Sequence, residues 1–201
     1  MDWLNIFSDN MYFFFLSYTI LGGGIKFIDS AFDDKTFNKK EALIIAPFLG
    51  VFWAYTMAIN QISATILLAV LLGVLLKGKI DNYAHLIGLI SIVIFDVLII
   101  IFIDGAGIML LPLIFLTSAS VLDEVGNDVM EYNSKYIDTN TFRYQFTLYF
   151  FGRRYLMKVA ILFISLLGII PLYFLLAFLL FDETYIMVGI YSKTRINKIK
   201  S

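Results

Sequence analysis

Long apolar runs constrain this chain more than any other feature of its sequence. A helix that crosses a membrane needs about 20 mostly apolar residues, within a range of about 17–25. The last apolar run begins near residue 156 and continues to Tyr191, interrupted only by Asp182 and Glu183. Because it contains Pro171, it forms either one kinked helix or two short ones. The sequence therefore predicts an all-α, polytopic transmembrane bundle of six or seven helices, built as a single membrane domain over residues 1–201. The runs lie at approximately 11–28, 42–59, 61–76, 84–103, 105–122 and 156–181.

The composition agrees with a membrane location and excludes several functions. Hydrophobic residues make up 60% of the chain and charged residues 15%, whereas soluble domains carry about 25% charged residues. The net charge of −1 argues against a nucleic-acid partner, and the absence of cysteine excludes disulfides, thiolate metal sites and cysteine nucleophiles. There is no Walker A loop, no G-x-S-x-G elbow and no H-E-x-x-H motif, which removes the ordinary nucleotide, serine-hydrolase and zincin hypotheses.

The basic residues are distributed unevenly between the two sides of the predicted bundle. The loops at 29–41, 77–83 and 123–155 lie on one side and together carry nine lysines and arginines, whereas the short segments on the other side carry none. The positive-inside rule places the loops with more basic residues in the cytoplasm. We therefore expect a multi-pass protein of the cell membrane whose charged loops are cytoplasmic.

Acidic residues gather in the same loops, and the positive-inside rule does not explain them. Glu124 and Asp128 are four residues apart, so their like charges would repel each other on one helix face. Either bound Mg²⁺, which prefers oxygen ligands, or ion pairs with nearby lysines and arginines would compensate this charge. We predict that the acidic residues are Mg²⁺ ligands, with ion pairing as the alternative. The first cluster is Asp29, Asp33 and Asp34, and the second is Asp123, Glu124 and Asp128.

A polar stripe follows the predicted fourth span. Asp81, His85 and Asp96 fall within about 60° of one another around a helix. A charge at the depth of Asp96 costs about 2.5–3.5 kcal/mol, so this residue is either an intramembrane functional group or a protonated carboxyl bonded between helices. His85 is the only histidine of the chain. We interpret it either as a helix-end hydrogen-bonding group or, with Asp81 one turn away, as a catalytic group that acts on phosphate.

The two acidic motifs carry a resemblance to a known family. The segments D-S-A-F-D-D at 29–34 and D-E-V-G-N-D at 123–128 resemble the two aspartate-rich motifs of the UbiA superfamily of intramembrane prenyltransferases. The resemblance implies that these carboxylates hold Mg²⁺ on a prenyl diphosphate while basic loop residues take the phosphates. It covers only these two motifs and their sidedness, and the segment at 78–85 has no counterpart in that family.

Three hypotheses for the function follow. The first is a protein that binds, and as an enzyme would transfer or hydrolyse, a Mg²⁺-complexed prenyl or lipid (di)phosphate at the cytoplasmic membrane face, among membrane lipids. The second is a cation- or proton-coupled transporter or channel that uses Asp96. The third is a non-catalytic membrane subunit whose polar stripe packs against a partner. In the first hypothesis the phosphate is held by charge-assisted donors from Lys35, Lys39, Arg153 and Arg154.

Overall fold

The computed structural model describes residues 7–78, 82–102, 107–133 and 141–200, and excludes the side chains at 130, 131, 133 and 196–200. Within these ranges the regular structure consists of helices, with no strand, which confirms the predicted all-α class. The predicted number of six or seven helices is wrong, because the described residues form eight. These are α1 (Met11–Phe32), α2 (Lys39–Ala58), α3 (Gln61–Leu76), α4 (Tyr83–Phe102), α5 (Leu110–Asn133), α6 (Phe142–Gly152), α7 (Tyr155–Leu166) and α8 (Tyr173–Lys200).

Five helices of the described ranges are long and apolar enough to cross a membrane, namely α1, α2, α4, α5 and the Tyr173–Arg195 part of α8. Two more, α3 and α7, are apolar but shorter. Large apolar side chains face outward along α4, including Val93, Ile100 and Phe102. Helices satisfy their own backbone hydrogen bonds, so a bundle with an apolar exterior suits a lipid environment. The fold indicates a membrane protein.

The additional helix arises in the long segment that the sequence analysis treated as a loop. Helix α6 is only 11 residues long, and Arg143 and Gln145 make it too polar to be read as a span. It packs on α5, where a Cβ added to Gly126 would overlap the ring of Phe151. The last apolar run divides into α7 and α8, with Gly168 at a φ of +74° in the connection. This division is one of the two alternatives that Pro171 raised.

Asparagines fix the beginnings of the first three helices. In each case the side-chain oxygen accepts hydrogen bonds from backbone N–H groups of the first turn, which have no partner inside the helix. Such a cap stabilises a helix by about 1 kcal/mol compared with alanine. Each cap therefore sets where its helix begins after a connection. The caps are Asn10 before α1, Asn38 before α2 and Asn60 before α3.

Small residues bring the helices together in pairs. The main contacts join α1 to α8, α2 to α4 and α3 to α5. A Cβ added to Gly22 would overlap the carbonyl oxygen of Phe181, and one added to Gly50 would lie 2.5 Å from the carbonyl oxygen of Gly88. Membrane helices use small residues in this way because close backbone approach maximises van der Waals contact. The pairs form a packed scaffold that positions the site described next.

Candidate functional site

A cavity of about 740 Å³ lies between the helices and is lined by residues of α1, α2, α3, α4, α5, α6 and α8 and of the α6–α7 connection. Part of its wall is apolar and comes from the middle of the helices, including Leu49, Trp53, Val70 and Ile92. The other part is charged and comes from the end of α1, the beginning of α4, the α6–α7 connection, the middle of α5 and the central and later parts of α8. Ionisable side chains in the lining are Lys26, Asp29, Asp33, His85, Asp123, Glu124, Arg154, Asp182, Tyr185 and Lys193.

Asp29 is the centre of a hydrogen-bonded group that joins three helices. Its Oδ1 atom binds Nε2 of His85 on α4, and its Oδ2 atom accepts a hydrogen bond of 2.7 Å from the hydroxyl of Tyr185 on α8. The ammonium of Lys26 lies 3.6 Å from the same Oδ2. None of the described residues bonds the other ring nitrogen of His85, Nδ1. The carboxylate of Asp29 therefore orients the imidazole of His85 through Nε2.

Arg154 contributes a charge from the connection between α6 and α7. Its backbone has a φ of +48°, a left-handed conformation that turns the chain from one helix into the next. Its Nη2 lies 3.3 Å from Oε1 of Glu124, and its guanidinium lies 4.9 Å from the centre of the Tyr185 ring. Burial alone would lower the pKa of Arg154, but Tyr185, Glu124, Asp182 and Asp29 outweigh that effect and raise the pKa. The guanidinium therefore keeps its positive charge.

Asp123 caps the beginning of α7. Its Oδ1 accepts a hydrogen bond of 3.1 Å from the N–H of Leu156, and its Oδ2 accepts one of 2.8 Å from the N–H of Met157. The N-cap residue of α7, Arg154, provides no side-chain bond of this kind. A carboxylate at a helix N-terminus satisfies unpaired N–H groups and interacts favourably with the helix dipole. Both oxygens of Asp123 thus have a structural function, and its role as a metal ligand stays a prediction.

A buried ion pair that the sequence analysis did not identify lies beside the cavity. The ammonium of Lys158 on α7 donates a hydrogen bond of 2.5 Å to Asp182 on α8, and the two side chains are 6% and 2% exposed. Asp182 is also part of the cavity wall. A sequence signal exists for Lys158, which is the one charged residue of the apolar helix α7, as Asp96 is of α4. Lys26 and Tyr185 were missed as well, and only the packing of α1, α4 and α8 shows their role.

Of the predicted phosphate-binding residues, only Arg154 lines the cavity. Lys35 and Lys39 are exposed and lie outside the lining. Arg153 also lies outside it, with its Nη1 atom 3.4 Å from Oε1 of Glu183. Successive residues at this helix junction therefore point in different directions.

The predicted metal ligands divide in a similar way. Asp29, Asp33, Asp123 and Glu124 line the cavity, so the structure brings both acidic motifs to one site. Asp34 instead accepts a hydrogen bond of 3.0 Å from Ser192. Asp128 lies 2.9 Å from the ammonium of Lys77. Part of the acidic charge is thus compensated by basic side chains, which is the alternative to a metal that the sequence left open.

The polar stripe of α4 is only partly described. Asp81 lies outside the described residues, and its predicted catalytic role stays a prediction. The aspartate that binds the His85 ring is Asp29 of α1. Asp96 is half-buried, and none of the described residues forms a hydrogen bond or an ion pair with it. It is not part of the cavity lining, although Ile92, one helical turn away, is.

The donor groups of the cavity fit Mg²⁺ only if the ion brings other ligands with it. Among the described residues, no group of three acidic or histidine side chains is arranged to hold a metal ion. Mg²⁺ in phosphate sites commonly takes one or two carboxylates, and substrate phosphates and water complete its shell. The residues present therefore fit an ion that arrives on a phosphate ligand better than an ion held by the protein alone.

Comparison of the chain with protein-family models, curated proteins and solved structures finds no match.

Proposed function

We propose that the protein binds a prenyl or lipid (di)phosphate, with the headgroup among the charged side chains of the cavity and the chain along its apolar wall. The observation that supports this proposal is a single cavity that combines both kinds of surface inside a bundle of membrane helices. Its volume of about 740 Å³ is within the range of small-molecule sites, about 300–1,000 Å³. An amphiphile with an anionic headgroup matches both surfaces at once.

The phosphate contacts in this proposal come from Arg154 and Lys26. Glu124 engages one part of the Arg154 guanidinium at 3.3 Å, and the five N–H donors of an arginine leave others for phosphate oxygens. Lys26 belongs to the group around Asp29 and adds a second positive charge. These two residues take the phosphate-binding role that the sequence predicted for Lys35, Lys39 and Arg153, which do not line the cavity.

Mg²⁺ is part of the proposal as an ion that arrives with a diphosphate. The lining contains five carboxylates and three basic side chains, and Lys158 neutralises one of the carboxylates, Asp182. A diphosphate would add negative charge to this balance, and Mg²⁺ on its oxygens would reduce the repulsion. The cavity-lining carboxylates of the two acidic motifs, Asp33 and Glu124 among them, would hold the ion.

The proposal also specifies on which side of the membrane the cavity opens and which residue would act as the acid–base group. The excess of lysine and arginine in the loops at this end of the bundle supports a cytoplasmic site. If the protein is an enzyme, His85 is the acid–base group, because Asp29 orients its ring. The resemblance of the two acidic motifs to the UbiA superfamily supports a prenyl substrate and stays a proposal.

Ligand-dependent stability in detergent tests the proposal. We expect farnesyl diphosphate or phosphatidic acid to raise the melting temperature, and Mg²⁺ to increase the effect of the diphosphate because each ligand raises the affinity of the other. Free ligand at about 100 times its dissociation constant adds about 2.7 kcal/mol to stability. Arg154→Gln should abolish the shift, whereas Arg153→Gln, the adjacent control, should retain it. Absence of any shift, or equal loss in both variants, would contradict the proposal.

A cation- or proton-coupled transporter is a second candidate, and one observation favours it. Asp96 is a half-buried carboxyl in the middle of α4 that no described residue pairs with. Residues of this kind are typical of ion and proton pathways. Flux measured in proteoliposomes should then be abolished by Asp96→Asn, which should leave the lipid-induced stabilisation unchanged. If neither flux nor ligand stabilisation is found, the hypothesis of a non-catalytic subunit becomes the best of the three.

A further inference from the structure

Trp53 carries a buried polar group that none of the described residues satisfies. The residue is 3% exposed and forms part of the cavity wall, and its indole Nε1 has no hydrogen-bond partner among the described residues. A buried donor without an acceptor is unfavourable, and native structures contain few of them. The other buried side-chain atoms of this kind in the described ranges are the hydroxyls of Ser17, Ser30, Thr117 and Ser165.

The indole differs from those four hydroxyls in two respects. None of the four residues lines the cavity, whereas Trp53 does. A serine or threonine hydroxyl in a helix also rotates readily to a carbonyl of the preceding turn. The indole N–H has one fixed direction on a rigid ring and no such local acceptor. The position of Trp53 in the cavity wall therefore points to a hydrogen-bond acceptor that a ligand supplies.

Ring contacts place Trp53 relative to the charged part of the cavity. Its ring packs edge-on against Phe181, with 6.1 Å between the ring centres. Phe181 precedes Tyr185 by four residues on α8, which is about 6 Å along a helix axis. Tyr185 donates to Asp29 in the charged group. Trp53 thus lies about one helical turn deeper in the bundle than the groups that would hold the headgroup.

We propose that the ligand is an ester-linked glycerolipid phosphate, whose carbonyl oxygen accepts the hydrogen bond of Trp53 below the headgroup. This inference rests on the proposed function and specifies its substrate class. A glycerolipid with ester linkages has carbonyl oxygens a few bonds below its phosphate. A prenyl chain is hydrocarbon from its first carbon onward and offers no acceptor at that depth. The unpaired indole therefore favours the glycerolipid over the prenyl compound.

A comparison of ester and ether lipids tests this inference on the purified 201-residue protein in detergent. The probes are phosphatidic acid with ester linkages and its ether analogue with the same chains, which lacks the carbonyl oxygens. We expect the ester lipid to bind about fivefold to tenfold more tightly, the effect of one hydrogen bond. Farnesyl diphosphate should show no such advantage over the ether lipid. Trp53→Phe should remove the preference, and Tyr12→Phe, which changes an exposed aromatic residue outside the cavity lining, should retain it.

The outcomes separate this inference from the proposed function. Equal binding of the ester and ether lipids would overturn the inference and leave phosphate-lipid binding in place. A preference that persists in Trp53→Phe would also overturn it, because the carbonyl would then bind elsewhere. If no phosphate lipid binds at all, the proposed function fails and the inference fails with it. The two lipids are compared first on the unchanged protein, so the test does not depend on the folding of a variant.

Discussion

Asp29 near the end of α1 binds His85 near the beginning of α4, although 56 residues separate them in the sequence. The same carboxylate accepts a hydrogen bond from Tyr185 on α8, 156 residues away. One acidic side chain thus connects the end of α1, the beginning of α4 and the middle of α8 where the acidic motifs meet. The charged part of the cavity is held together by these contacts, which makes them direct targets for mutation.

Removal of the Tyr185 hydroxyl should weaken this connection. Hydrogen bonds to charged groups contribute about 1.5–3 kcal/mol, so we expect Tyr185→Phe to lower the free energy of unfolding by that amount. Tyr191→Phe is the control, because Tyr191 is exposed on the same helix and its ring stacks on Phe37. Unfolding in detergent, followed by circular dichroism, measures both. Equal stability of the two variants would show that the bond to Asp29 contributes nothing.

Asp123 should stabilise the fold whether or not it also holds a metal. Because its two oxygens cap α7, Asp123→Ala should cost about 1–2 kcal/mol in the absence of any ligand. Asp128→Ala serves as the comparison, since Asp128 forms a partly exposed ion pair with Lys77 that is worth less than about 1 kcal/mol. Denaturation of both variants without Mg²⁺ measures the difference. A loss for Asp123→Ala that is seen only with Mg²⁺ would argue for the metal role alone.

The pair formed by Lys158 and Asp182 should show strong coupling. Removal of one partner leaves a buried charge alone, so Lys158→Met should destabilise the protein by about 3–5 kcal/mol. The double variant Lys158→Met with Asp182→Leu should recover most of that loss, because two apolar side chains replace the two charges. A double-mutant cycle on purified protein measures the coupling. Additive losses would mean that the two charges do not depend on each other.

The contact of α1 with α8 should tolerate a methyl group at one glycine and not at its neighbour. A Cβ at position 22 overlaps the backbone of Phe181, which cannot move independently of its helix, whereas a Cβ at position 23 lies 3.7 Å from Val188. We expect Gly22→Ala to cost about 1–3 kcal/mol. Gly23→Ala should be close to neutral in the same thermal-denaturation assay. Similar melting temperatures for the two variants would contradict the close packing at Gly22.

The positions of the helices were largely predictable from the sequence. The predicted run at 61–76 coincides with α3, and the run at 84–103 differs from α4 by one residue at each end. Helix α6 was missed because its 11 residues mix aromatic side chains with Arg143 and Gln145 and resemble a polar loop. Apolar length is a local property of the chain, so it identifies the long helices and overlooks short ones.

The sequence also predicted that the two acidic motifs share one side of the bundle, and the structure places Asp29, Asp33, Asp123 and Glu124 around one cavity. The sequence did not show which residue each of the charged side chains contacts. His85 was paired with Asp81 because one helical turn separates them in sequence, whereas the structure brings Asp29 to its ring. Likewise, the sequence predicted the same phosphate-binding role for Arg153 and Arg154, yet of these two only Arg154 lines the cavity.

The amino-acid sequence by itself determined the helical class, the membrane character and the concentration of charge at one end, because these depend on composition and on residues close together in the chain. Only the tertiary structure decided that Asp123 caps α7, that Lys158 neutralises Asp182 and that the Trp53 indole lacks a described partner in the cavity wall. Those relationships depend on which helix faces pack together and at what depth. That choice is a balance of close packing and hydrogen bonding over the whole bundle, which no local stretch of sequence contains.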